Sequence, residues 1–193
     1  MIDLARVEQY RENNRIEAKK ALGGLPKSIW ETYSAFANTL GGMLLLGVEE
    51  RPDHSLHAVD LPQPQRLIDE FWQLVNDPKK VSFNLLSPQH VRICRIDGKR
   101  IIAIEVPRAS RCDRPIYIDA DPLRGTYCRR GEGDFRCTPE EVRAMQQAAA
   151  QPTQDMQPLP ACSLSALDDR TLHRYRARMR AARPGHVWNT LSE

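Results

Sequence analysis

The chain has 193 residues, 41% of them hydrophobic and 27% charged, with a formal net charge of +3, so it can bury a core and has the balance of an ordinary globular protein. No stretch approaches the roughly 18 consecutive apolar residues of a membrane span. The charged opening Met1-Ile2-Asp3-Leu4-Ala5-Arg6-Val7-Glu8 has no apolar secretory stretch, so no membrane partner and a cytoplasmic location are expected.

Helical spacing of Leu4, Val7 and Tyr10 or Arg11 predicts a short helix over 3–12, ended by Asn13-Asn14. Arg15 to Lys19 alternates polar and apolar, the period of a half-buried strand that places Glu17 and Lys19 on one face. Ser28-Ile29-Trp30-Glu31 reads as a capping box. The helix that follows puts Ile29, Tyr33, Phe36 and Leu40 inward and stops at Gly41-Gly42. Met43 to Val48 is a continuous apolar run and reads as a central strand covered on both faces. A second helix is expected near 65–76, with Leu67, Ile68, Phe71, Trp72 and Val75 inward, then strands at 81–86, 91–96 and 100–106, the last two joined by Asp97-Gly98. Short strands are expected at 116–118, 125–129 and 134–136. Thr138-Pro139-Glu140-Glu141 then starts a helix to about Ala149.

The fold class so read is α/β (α+β): a mixed, largely antiparallel sheet with flanking helices in residues 1–150, with Phe36, Leu40, Phe71 and Ile102 buried. Residues 151–166 are rich in Pro, Gln and Ala and read as an extended or mobile linker. Residues 167–193 hold a basic helix near 168–182, and Trp188 with Leu191 reads as the start of a further C-terminal domain.

The five cysteines, Cys94, Cys112, Cys128, Cys137 and Cys162, are odd in number and contain no Cys-x-x-Cys pair, which argues against a disulfide framework and a zinc site. Cys94 and Cys128 read as small core residues. Charge is more informative in its distribution than in its sum. Arg108, Arg111, Arg114, Arg124, Arg129, Arg130, Arg136 and Arg143 follow one another with no lysine, and a second arginine series runs from Arg170 to Arg183. The guanidinium fork suits phosphate oxygens, although such a series is equally a solvated face.

Three segments stand in order: Glu12-Asn13-Asn14-Arg15-Ile16-Glu17-Ala18-Lys19, Ser34-Ala35-Phe36-Ala37-Asn38-Thr39-Leu40-Gly41-Gly42, and Leu44-Leu45-Leu46-Gly47-Val48-Glu49-Glu50. With Gly125 to Gly131 and Thr138 to Val142, they resemble the Schlafen AlbA-like domain family across about residues 8–150. The resemblance implies a nucleic-acid-binding domain of a bacterial transcriptional regulator, with DNA or RNA as partner; the sequence leaves the oligomeric state, a homo-oligomer included, open. On that reading Lys19, Lys20, Arg108, Arg129 and Arg130 contact phosphates, four of them (all but Arg108) in one positive patch. Arg129 could instead face the core, paired with Glu105 or Asp119.

In the family's endoribonucleases the catalytic acids fall at positions matched by Glu12, Glu17 and Glu50, which would hold Mg²⁺ or Mn²⁺ as metal ligands. Here Glu50 stands where Asp is usual, and Ala18 where an aromatic residue is usual. Binding without cleavage, metal-dependent cleavage and a protein-interaction role are thus three readings of one fold. Without metal chemistry no cofactor is expected.

Overall fold

The structure is a computed structural model and describes residues 10–151 and 168–190. The chain divides after Gln151 into two units. In the first, four strands form a sheet in the order β1-β2-β6-β5: β1 Ile16–Lys19, β2 Gly42–Leu46, β5 Val91–Ile96 and β6 Lys99–Val106. β1 pairs parallel with β2, placing Glu17 opposite Leu44 and Lys19 opposite Leu46, and the other pairings are antiparallel. The Asp97-Gly98 turn between β5 and β6 takes positive φ at both residues, as a tight hairpin requires.

Both faces of the sheet are covered. Leu44, Leu46, Ile102 and Ile104 pack under helices α1 (Ile29–Asn38) and α2 (Pro64–Val75), where Trp30 stacks on Phe71 with ring centroids 5.3 Å apart. On the opposite face Ile16, Met43, Leu45, Ile101 and Ala103 meet Val48, Leu56 and Ala58 from a hairpin of β3 (Val48–Glu50) and β4 (Leu56–Ala58). The apolar run Met43 to Val48 is therefore two strands. Gly47 breaks it at φ +83°, where a Cβ would lie 2.9 Å from the Val59 carbonyl, so the chain leaves the sheet there and folds back across it.

α1 is buried on nearly every side, so its polar side chains must find partners inside the protein. Ser34 Oγ donates to the Ile116 carbonyl at 2.7 Å and accepts from the Tyr127 amide at 3.0 Å. Asn38 bridges two segments: its Nδ2 donates to the carbonyls of Ile116 (2.8 Å) and Tyr127 (3.0 Å), and its Oδ1 accepts from the Ile116 amide (2.9 Å). These bonds hold the short helix α3 (Pro122–Gly125) and the hairpin of β7 (Tyr127–Arg130) and β8 (Gly133–Arg136) against α1. Helix α4 (Pro139–Ala150) follows, with the Thr138–Glu141 capping box formed in both directions.

Several expectations change. Ser28 makes no capping bond, and Glu31 instead accepts from the Tyr127 hydroxyl at 3.2 Å. Leu40 is 47% exposed, because the helix ends at Asn38 and the chain turns before Leu40 can reach the core. Trp72 is only half-buried. Residues 82–86 form no strand: beyond the isolated Val81–Ile118 bridge, the amides of Leu85 and Leu86 are taken by the Tyr33 hydroxyl and the Asn84 side chain. Residues 116–118 likewise make only isolated bridges. Residues 10–12 are not helical. The remainder of the helix expected over 3–12, and nearly all of the linker expected over 151–166, lie outside the described residues.

In the second unit, helix α5 (Asp169–Ala182) begins where Asp168 accepts from the Thr171 amide, and a short 3₁₀ turn spans Val187–Thr190. Among the described residues no helix is long and apolar enough to cross a membrane.

Candidate nucleic-acid interface

An ionic cluster lies where β1, the edge strand of the sheet, meets the β7–β8 hairpin. Arg129 projects from β7 toward β1, and its side chain is 1% exposed. Its Nη2 donates to Glu17 Oε2 at 2.7 Å and to the Asn13 carbonyl at 2.9 Å, while Nη1 donates to Asp134 Oδ1 at 2.9 Å. Its guanidinium also sits 5.2 Å from the Phe36 ring centroid. Burial opposes the arginine's charge, but the bonds from Asp134 and Glu17 outweigh it and hold the pKa above its ordinary value. Arg129 is therefore an interior residue with carboxylate partners, neither exposed to a phosphate nor paired with Glu105 or Asp119.

The other cations expected beside it are also engaged. Lys19 bonds Glu17 Oε1 at 2.8 Å, Lys20 meets Glu49 at 2.6 Å, and Arg130 pairs with Glu141. Each cation already has a carboxylate partner within the domain.

The three acidic residues share this neighbourhood. Burial raises the pKa of Glu12, and the carboxylates of Glu17 and Glu50 raise it further against the Ala18 amide, which donates to Glu12 Oε1 at 2.8 Å. Each carboxylate is nonetheless committed elsewhere. Both Glu17 oxygens are occupied by Lys19 and Arg129, Glu12 caps the free edge of β1, and Glu50 Oε1 lies 2.9 Å from His54 Nδ1. Among the described residues no three His, Cys, Asp or Glu side chains are grouped to hold a metal ion. A Mg²⁺ or Mn²⁺ ion shared by Glu12, Glu17 and Glu50 would have to displace the buried pairs of Glu17 with Lys19 and Arg129.

A different set of cations stands open. A groove of about 870 Å³ crosses the end of the sheet where β2 begins and β6 ends. Arg15, Arg92 and Arg108 line it, together with Asn13, Met43 and Glu105. Register accounts for the convergence. Met43 lies opposite Glu105, and Arg92 of β5 lies opposite Ala103, two residues before Glu105 on the same face. Gly41 closes the groove's end at φ +72°, where a Cβ would stand 2.8 Å from the Val106 carbonyl. All three arginines are exposed, and none has an acidic partner among the described residues. Arg108 also presses on Arg114, whose pKa is lowered first by burial and then by the Arg108 charge.

Arg108 was expected at a phosphate site, whereas Arg15 and Arg92 were missed. Arg15 sits inside the first motif, and Arg92 sits in a predicted strand. Neither position signals a shared groove until the pairing of β5, β6 and β2 is known.

A second cavity, of about 510 Å³, lies between the Gly23-Gly24 loop and the start of α2 and holds one arginine, Arg66, with one carboxylate, Glu70. It offers no comparable excess of positive charge.

The Schlafen, AlbA_2 family model matches residues 12–138, and a domain of unknown function, DUF8451, matches residues 143–193. No curated protein matches the chain. A solution NMR structure from Nitrosomonas europaea, the N-terminal domain of a protein described as related to the ATP-dependent DNA helicase RecG, is 32% identical, covering 65% of this chain and 84% of that one, with a TM-score of 0.49. The crystal structure of the DIP2311 protein from Corynebacterium diphtheriae is 19% identical with a TM-score of 0.48; the match covers 93% of this chain but only 31% of that one. With all three acidic positions and the Ala35-Phe36-Ala37-Asn38-Thr39-Leu40-Gly41-Gly42 segment inside the matched residues 12–138, the chain belongs to the Schlafen AlbA_2 family.

Proposed function

We propose that this chain is a nucleic-acid-binding module of a bacterial gene regulator that grips the phosphate backbone of DNA or RNA without cutting it. The observation that carries the reading is the groove holding Arg15, Arg92 and Arg108, three exposed arginines without acidic partners among the described residues. Guanidinium groups without carboxylate partners can take phosphate oxygens bidentately and release condensed counterions, whereas cations already paired with carboxylates cannot do so without breaking those pairs. Such bonds fix position rather than read sequence.

Helix α5 supports the same reading from the second unit. Arg170, Arg174 and Arg178 recur every fourth residue over about 12 Å of helix, all exposed and without acidic partners among the described residues. The commitments of Glu12, Glu17 and Glu50 favour binding over cleavage.

Incubation of the full chain with labelled tRNA, single-stranded RNA and duplex DNA, with and without Mn²⁺, tests the proposal. Intact retention of at least one of them, weakened by salt, is the expected result. Indifference to all three, or cleavage that depends on Mn²⁺, would overturn it.

A further inference from the structure

The sequence argued against disulfides, yet two of its cysteines stand side by side. Cys128 lies in β7, and Cys137 follows the last residue of β8 and precedes the cap of α4. Their Sγ atoms are 2.6 Å apart, both thiols are free, and a small closing movement reaches the about 2.05 Å of a covalent sulfur–sulfur bond. The environments are unequal. Cys128 is half-buried, whereas Cys137 is 3% exposed.

We propose that Cys128 and Cys137 form a redox-active dithiol, a modification site at which a hydroperoxide converts the pair to a disulfide. Cys128 is the attacking sulfur because peroxide can reach it. The bond donated by the Cys137 thiol favours the Cys128 thiolate and lowers its pKa, while Cys137 has its pKa raised by the same bond and by burial. The Cys128 thiolate attacks one peroxide oxygen and the O–O bond breaks. The departing oxygen takes up the proton that Cys128 gave up in forming its thiolate and leaves as water (from hydrogen peroxide) or as an alcohol, and Cys128 becomes a sulfenic acid. The Cys137 sulfur then attacks the Cys128 sulfur, the S–O bond breaks, and the hydroxide takes the Cys137 proton and leaves as water. Two thiols lose two electrons and two protons, and the peroxide is reduced.

The new bond would tie the base of the β7–β8 hairpin across the two residues that bracket Arg129 and Asp134. Oxidation should therefore hold the hairpin that braces β1, and a thiol reductant should release it.

Peptide mapping of the full chain tests this directly. After hydrogen peroxide, denaturation with alkylation and trypsin, the peptides Gly125–Arg129 and Cys137–Arg143 should emerge joined, and dithiothreitol should separate them. Cys137→Ser should instead leave Cys128 as a sulfenic acid that dimedone captures, and Cys128→Ser should leave Cys137 reduced. Full alkylation of both cysteines after peroxide, or joining of Cys128 only to Cys94, Cys112 or Cys162, would overturn the proposal. The readout does not involve nucleic acid, so the outcome is independent of the binding reading.

Discussion

Arg129 Nη2 stands 2.7 Å from Glu17 Oε2, a bond across 112 residues of chain that fastens the β7–β8 hairpin to the edge of the main sheet. The Asp134 carboxylate completes the pair from β8 and also accepts from the Thr32 hydroxyl of α1 at 2.6 Å. One guanidinium thus joins the sheet edge, the hairpin and the central helix.

Arg129→Ala should accordingly destabilise the domain by about 3–5 kcal/mol, the cost of leaving buried charges unpaired. Arg129→Lys should fall between the two, since an ammonium cannot reach both carboxylates with a planar fork. Urea denaturation measures both. A loss within the about 0–1 kcal/mol of an exposed pair would show that Glu17 and Asp134 are solvated instead.

Asn38→Ala should cost about 2 kcal/mol or more, because it removes the partner of the Ile116 amide and of the Tyr127 carbonyl, each worth about 1–3 kcal/mol when orphaned, while Ser34 still donates to the Ile116 carbonyl. Asn38→Asp keeps the acceptor but sets a charge against those carbonyls, so it should be no better. Thermal melts of the two variants check the order.

The legibility of the fold follows locality. β1, α1, α2, the β5–β6 hairpin, the Thr138 cap and α5 were readable because their signals lie within a few residues. The role of Asn38 was not, since it stands at the end of a helix and in fact bonds segments 78 and 89 residues away. Arg129 misled for the same reason: in sequence it is one of eight arginines between Arg108 and Arg143, and only the return of the hairpin to β1 shows that its charge is taken up by Glu17 and Asp134. Cys128 and Cys137, nine residues apart, likewise meet only because a hairpin intervenes.

Glu12 gives the domain a pH dependence of defined sign. Its folded pKa is raised, by burial first and then by Glu17 and Glu50, so the native state holds this proton more tightly than the unfolded chain. Stability should therefore fall as pH rises from the ordinary glutamate range through the raised folded value, with the loss complete above it. Glu12→Gln keeps an oxygen for the Ala18 amide and removes the charge. It should stabilise the protein at neutral pH and flatten that part of the profile. Destabilisation by Glu12→Gln at pH 8 that disappears at pH 4 would mean that the carboxylate's charge is needed in the fold.

Salt dependence separates the groove from the sheet-edge cations. For duplex DNA, each arginine–phosphate pairing that a substitution abolishes reduces the slope of log affinity against log salt by about 0.9. Replacing Arg15, Arg92 and Arg108 with Ala together should flatten the slope by up to about three units and weaken every sequence alike, with little change in melting temperature because all three side chains are exposed. Lys20→Ala with Arg130→Ala should leave the slope unchanged, since Glu49 and Glu141 already hold those charges. Glu105→Gln provides a gain-of-affinity control. Its carboxylate shares the groove, so its removal takes away a repulsion against phosphate and should tighten binding without altering target preference. If instead the Lys20 and Arg130 pair sets the slope while the groove variants bind as before, the phosphates lie along the β1 edge, and the arginines of the groove serve only to keep that end of the sheet in solvent.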